Sequence, residues 1–284
     1  MSFTVGVAGI AGKFTRLVLK QLCSSDVQIR GFCRSASKLP AKYRDSARVT
    51  IVQGSSDDLE ALRGFVRGCD VVICAYLGDN TLMTDGQKLL VDAGELEKLE
   101  YGQHPAKDPI KHGVHVLIGA FMETFWSGYF GIWRPDEYKL SFYGNGDEIW
   151  ESTTYQTAAE YVAAVARDPS ATGLQHFLGD RRSIRQIADD FAQVYGKAPQ
   201  LERLGSLDDL YSKMQATFNK VPSNIFAYIA MFYQNYCTNG QTYLKPDLDN
   251  RKYPDVTPIT FKKFLESHRL EDLSDAYQNA GGDA

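Results

Sequence analysis

The 284-residue sequence lacks several features that would decide a function class on their own. Lys and Arg total 31 against 35 Asp and Glu, a net charge of -4, so there is no basic field to draw a nucleic acid. No apolar run approaches the length of a membrane span. The five cysteines, at positions 23, 33, 69, 74 and 237, are odd in number and have no CxxC spacing, which excludes a disulfide framework. The five histidines form no HxxxH or HExxH pattern, and no metal is expected. The opening Met1-Ser2-Phe3 runs straight into an apolar stretch and leaves no room for a signal peptide, so a cytoplasmic protein is expected. No Tyr-x-x-x-Lys pair, Ser-His-Asp set or paired carboxylates stand out as catalytic machinery.

What is present is concentrated near the N-terminus. Thr4-Val5-Gly6-Val7-Ala8-Gly9-Ile10-Ala11-Gly12-Lys13-Phe14 joins an apolar run to three glycines at three-residue spacing, and Phe14, Leu17, Val18 and Leu22 follow at helical spacing. This reads as strand, tight turn and helix N-terminus, an arrangement whose backbone N–H groups hold a phosphate. Gly6 is expected to start the turn, Gly9 to admit a pyrophosphate to the backbone, and Gly12 to let the helix pack close to the sheet. The expected ligand is a dinucleotide, contacted by the turn and first helical residues Ile10, Ala11, Lys13 and Phe14 as well as the glycines.

A second strand, Val27 to Cys33, ends at Arg34-Ser35 with Lys38 close behind, and no Asp or Glu occurs between Val27 and Lys42. At this place an acid would accept from a ribose 2′-OH and an arginine would accommodate a 2′-phosphate, so Arg34, Ser35 and Lys38 favour NADP over NAD. Val49 to Val52 is a third strand. Asp70 to Ala75 is a fourth, expected to be covered on both faces, and its exit through Ala75, Tyr76 and Leu77 is placed beside the nicotinamide half of the cofactor. Alternation of strands and helices at this spacing predicts an α/β fold with a Rossmann-type doubly wound parallel sheet.

The GxxGxxG turn, Arg34, the phrase Gly119-Ala120-Phe121-Met122-Glu123-Thr124-Phe125-Trp126 and the phrase Tyr143-Gly144-Asn145-Gly146-Asp147 resemble the NmrA-like, isoflavone-reductase-like branch of the atypical short-chain dehydrogenases/reductases. The resemblance covers residues 3 to about 268. It implies NADP(H) binding with reductase activity on a small, often aromatic substrate or, in a regulator subgroup, a cofactor sensor acting through a protein partner. A redox-neutral isomerase or cyclase is a third alternative.

The chain departs from that family after the helix Thr84 to Ala93. Gly94 to His112 contains Pro105 and Pro109 and is too short to supply both a crossover and another strand. The shortage reads as a shortened sheet, a mis-spliced gene, or a chain with a segment dropped, which would show breaks at Ala93/Gly94 and His112/Gly113. The family lysine that assists hydride transfer belongs in this region. Lys98, Lys107 and Lys111 remain there, with Lys111 nearest the expected position, and all three also read as ordinary surface lysines.

Downstream, Phe121, Met122, Phe125, Trp126, Tyr129, Phe130 and Trp133 form the richest aromatic run, read either as a substrate wall or as core packing. A helix from Ile225 to Tyr236 carries Tyr233 on an aromatic face, read either as closing a substrate cleft or, for most of its side chains, as packing. The expected division is an NADP-binding domain over residues 1–150 and a smaller, mostly helical domain over 151–284.

Overall fold

A computed structural model describes residues 3–79, 81–97 and 113–281. The chain divides into two compact units: Met1–His115 with Ala159–Leu174 and Gly281–Ala284, and Val116–Ala158 with Gln175–Ala280.

In the first unit strands and helices alternate as β1 (Thr4–Ala8), α1 (Lys13–Cys23), β2 (Gln28–Cys33), α2 (Ala41–Arg44), β3 (Val49–Gln53), α3 (Leu59–Val66), β4 (Val71–Cys74) and α4 (Gln87–Leu96). The strands form a parallel sheet in the order β3-β2-β1-β4, with Val5 beside Ile29 on one side and Val71 on the other. Val5 and Val7 are fully buried, and α1 buries Leu17, Val18, Leu19 and Leu22. Burying such a stripe is what holds a short helix to a sheet. Ala8, Phe32, Leu62, Phe65, Val66, Leu90 and Ala93 make a second cluster between the sheet and the pair α3, α4.

Two expectations change here. Gly6 does not start the turn but lies inside β1, where a Cβ would stand 3.1–3.2 Å from Cys69, Val72 and Phe65, so the residue makes room for α3. Strand β4 is not covered on both faces: Val71, Val72 and Ile73 are half-buried and Cys74 is exposed, because among the described residues the sheet ends at β4. The helix α4 runs unbroken through Ala93 and Gly94, with the Glu97 N–H donating to the Ala93 carbonyl at 3.1 Å, so the break that a dropped segment would leave there is not present. His112, at the other junction where that reading places a break, lies outside the described residues.

The remaining elements are β5 (Val114–Leu117), β6 (Ala120–Phe121), α5 (Met122–Trp126), β7 (Trp133–Arg134), β8 (Lys139–Tyr143), β9 (Ile149–Thr153), α6 (Tyr155–Val165), β10 (Gly173–His176), β11 (Asp180–Ser183), α7 (Ile184–Tyr195), β12 (Gln200–Gly205), α8 (Leu207–Lys220), α9 (Ile229–Thr238), α10 (Phe261–Glu266) and α11 (Ala276–Asn279). β5 pairs with β10, and the second unit holds two three-stranded sheets, β11-β9-β6 and β12-β8-β7. Its core is aromatic: Phe125, Trp126, Trp133, Phe191 and Phe261 are at most 2% exposed. Ser183 starts α7 with a capping box, its hydroxyl accepting from the Gln186 N–H while the Gln186 side chain accepts from the Ser183 N–H. Strands β9 and β11 add to the mainly helical reading. Glu151, Ser152 and Thr153 lie in β9, and the cap of α6 is Thr154, which accepts from the Thr157 N–H at 3.1 Å. The aromatic helix is also shorter than expected: a separate turn at Ile225–Ala227 precedes α9.

Candidate functional site

The glycine turn is built from three directions. Gly9 adopts φ +82°, which excludes most side chains, and its N–H donates to the Phe32 carbonyl of β2 at 2.9 Å. Gly12 stands at the N-cap of α1 and has no side chain to cap the first turn. The N–H groups there have no carbonyl within the helix to bond, the property that suits such an end to an anion. Thr15, 1% exposed, places its hydroxyl 2.9, 3.0 and 2.9 Å from the carbonyls of Gly9, Ile10 and Gly12 and locks the turn from below. The Ile10 side chain is fully buried and fills the space that Gly31 of β2 leaves, so only its backbone faces the turn. Lys13 is exposed, and Ala11 and Phe14 are half-buried.

At the end of β2, Arg34 and Lys38 are exposed and Ser35 is half-buried, its hydroxyl 2.8 Å from that of Ser37. Gln53, at the end of β3, accepts from the Ala36 N–H at 3.1 Å and fixes this loop against the sheet. Among the described residues no carboxylate pairs with Arg34 or Lys38.

The exit of β4 approaches the turn closely. The Ala75 N–H donates to the Ala8 carbonyl at 3.1 Å, and its own carbonyl lies where a Gly9 side chain would be. Tyr76 packs against the cluster around Phe65 and Leu90, with a buried hydroxyl that has no hydrogen-bond partner among the described residues. Burial, reinforced by Cys74, pushes its ionisation upward. Leu77 is 83% exposed.

In the second unit the aromatic run separates into two groups. Met122, Phe125 and Trp126, expected at a substrate wall, are at most 1% exposed and belong to the core, where Phe125 meets Trp126, Trp150 and Phe261 edge-on. Phe121, Tyr129 and Tyr233 stay nearer the surface: Phe121 is half-buried, and Tyr129 and Tyr233 are about half exposed. Phe121 stacks on Tyr155 with ring centroids 3.9 Å apart, and Tyr277 lies 6.3 Å from Tyr155. Burial and the phenols of Tyr233 and Tyr277 raise the ionisation of Tyr129, which ties these tyrosines into one neighbourhood.

Beneath them lies Glu123, a residue sequence reasoning passed over. Its side-chain oxygens accept from the Tyr155 N–H at 2.9 and 3.1 Å, at the first turn of α6. The residue is 7% exposed, and desolvation pushes its ionisation up to about 7 against the pull of its own N–H and that of Tyr155. The available signal was an acid inside the apolar phrase Phe121 to Trp126. Lys111, the candidate catalytic lysine, lies outside the described residues. Among the described residues no group of His, Cys, Asp and Glu is arranged to hold a metal, and no helix is long and apolar enough to cross a membrane.

Residues 9–100 match the family described as NAD(P)H-binding. They form an NAD(P)H-binding domain. The turn fits this role on its own geometry, since the positive φ of Gly9 and the side-chain-free N-cap at Gly12 leave backbone at the surface where a phosphate would approach. The whole chain shares its fold with solved reductases. An isoflavone reductase superposes with a TM-score of 0.75 over 93% of this chain and 99% of that one, at 15% identity. AtPrR2, crystallised with NADP+ and (+)pinoresinol, gives 0.74 over 94% and 98%, also at 15% identity. The triphenylmethane reductase of Citrobacter sp., complexed with NADP(H), gives 0.68 over 93% and 100%, at 17% identity. No curated protein matches the sequence. Around its NAD(P)H-binding domain the chain therefore has the Rossmann-type architecture expected from the alternation of its strands and helices.

Proposed function

We propose that the protein is an NADPH-dependent reductase acting on a small organic substrate. The observation that carries the reading is the end of β2, where Arg34 and Lys38 stand exposed, with no carboxylate partner among the described residues, beside a glycine turn of dinucleotide-binding form. A 2′-phosphate supplies the missing negative charge. Gly9, Gly12 and the first turn of α1 hold the pyrophosphate, and Ala75 to Leu77 border the nicotinamide. When bound, the nicotinamide supplies the hydride, and the protein's part is to orient it and exclude water. Phe121, Tyr129 and Tyr233 offer flat surfaces to an organic substrate. The role of Lys111 in hydride transfer rests on family resemblance.

The reductases that share the fold support this reading, and the test is direct. Calorimetric titration with NADPH and NADH is expected to show tighter binding of NADPH, followed by substrate-dependent NADPH oxidation across a panel of quinones and aromatic ketones. A protein that binds neither nucleotide would overturn the proposal. A sensor without catalysis is the second reading, favoured by the lack of a Tyr-x-x-x-Lys pair. It expects NADPH binding without turnover on any substrate and a protein partner retained only in one redox state of the nucleotide.

A further inference from the structure

Arg16 is half-buried on α1, four residues beyond Gly12. Its Nη2 donates to the Lys38 carbonyl at 3.4 Å, bringing the guanidinium to the loop that carries Arg34 and Lys38. Its Nε is buried without a hydrogen-bond partner among the described residues. The Tyr43 hydroxyl donates to the Arg16 carbonyl at 3.5 Å, and the Arg16 charge acts on the Tyr43 phenol against the burial that raises its ionisation. Among the described residues no carboxylate pairs with Arg16. A guanidinium has five donors, and taking its charge partly out of water without a counter-ion is costly. One long bond to a carbonyl does not offset that cost.

The guanidinium of Arg16 on α1 thus reaches the loop after β2, the same loop that carries Arg34 and Lys38. We propose that Arg16 is a third ligand of the 2′-phosphate of NADPH and selects that nucleotide over NADH. The inference rests on the function proposed above. Arg16 approaches from the helix while Arg34 and Lys38 approach from the loop, so the phosphate is gripped between two elements. The carbonyl of Lys38 sets the orientation of the guanidinium before the phosphate arrives, which lowers the entropic cost of binding. The Ser35 and Ser37 hydroxyls add donors on the loop side.

The test is calorimetric titration of the full chain and of the Arg16→Met and Arg16→Lys variants with NADPH and with NADH, each variant first shown to melt cooperatively. Arg16→Met keeps most of the packed stem and removes the charge. Its Kd for NADPH is expected to rise roughly ten- to a hundredfold, the loss of a charge-assisted hydrogen bond, while its Kd for NADH stays within about twofold. Arg16→Lys is expected to recover part of the preference, since a point charge remains without the planar fork. Equal weakening toward both nucleotides, or no change toward either, would overturn the inference and leave Arg16 as a strut between α1 and the loop. A wild-type protein without preference for NADPH would overturn the underlying reading as well, which separates the two failures.

Discussion

A side chain on Gly9 and the carbonyl of Ala75 would compete for the same space: a Cβ at position 9 would lie 2.8 Å from the Ala75 oxygen and 3.5 Å from Cδ1 of Tyr76. The turn and the exit of β4 are thereby locked to each other. Gly9→Ala meets both this obstacle and the strain of a φ of +82°. It is expected to cost about 1–3 kcal/mol of stability and to abolish measurable NADPH binding. Thermal melting with calorimetry tests it, and wild-type affinity in the variant would show that the turn tolerates a side chain.

Thr15 ties the turn from beneath. Thr15→Val keeps the shape of the side chain but leaves the carbonyls of Gly9, Ile10 and Gly12 without their hydroxyl, 2.9–3.0 Å away in the native protein. A loss of about 1–2 kcal/mol is expected in urea unfolding, together with weaker binding of NADPH and NADH alike. Thr15→Ser is expected to restore most of both.

Arg34 is the residue proposed from the sequence to select the nucleotide. Arg34→Ala is expected to reduce affinity for NADPH by roughly tenfold or more while leaving NADH nearly unchanged. Parallel titrations measure this ratio. An unchanged ratio would remove the 2′-phosphate site from the end of β2.

Glu123 makes stability depend on pH. Its ionisation lies near 7 in the folded protein, above the ordinary carboxylate value, because burial disfavours the charged form. Between those two values the folded state holds more protons than the unfolded state, so stability falls as pH rises. The contribution is fully present below the unfolded value near 4.3 and is lost as pH passes through about 7. Glu123→Gln keeps an acceptor for the Tyr155 N–H and removes the titration. Urea unfolding at about pH 5 and pH 8 is expected to show the variant gaining on the wild type at the higher pH, by up to about 3 kcal/mol. An equal difference at both values would count against a buried, titrating carboxylate.

The parts legible in the sequence were those carried by short local patterns. The glycine turn and the basic stretch after β2 each lie within a dozen residues, and the alternation that yields a parallel sheet is a repeat of such short segments, each set by its own local spacing. What escaped depends on distant partners. Gly31 matters because Ile10, twenty-one positions earlier, fills the space where its side chain would be. Glu123 reads as one acid in an apolar phrase until β6 and β9 pair and bring the Tyr155 N–H to it. Arg16 shows as a solvent-facing helical arginine until the loop after β2 brings the Lys38 carbonyl to it. The aromatic run was misjudged in part for a related reason: Met122, Phe125 and Trp126 sit on a single short helix whose inward face is set by α7 and α10, far along the chain. Gly6 was assigned to the turn because its spacing suited it, but pairing with Arg30 and Val72 keeps it in the strand.

The division of the chain has a consequence for how the protein is made. The unit that carries the nucleotide turn takes Met1–His115 but also Ala159–Leu174 and Gly281–Ala284. Its last large contribution therefore leaves the ribosome only after much of the second unit has been synthesised. At roughly 5–20 residues per second the N-terminal segment waits several seconds for Ala159–Leu174, and during that wait its parallel strands are available for wrong pairings. A fragment ending at residue 115 lacks Ala159–Leu174 and Gly281–Ala284 and is expected to aggregate more readily than the full chain. Completion of that unit is thus a late event in synthesis, although most of its residues are among the first to be translated.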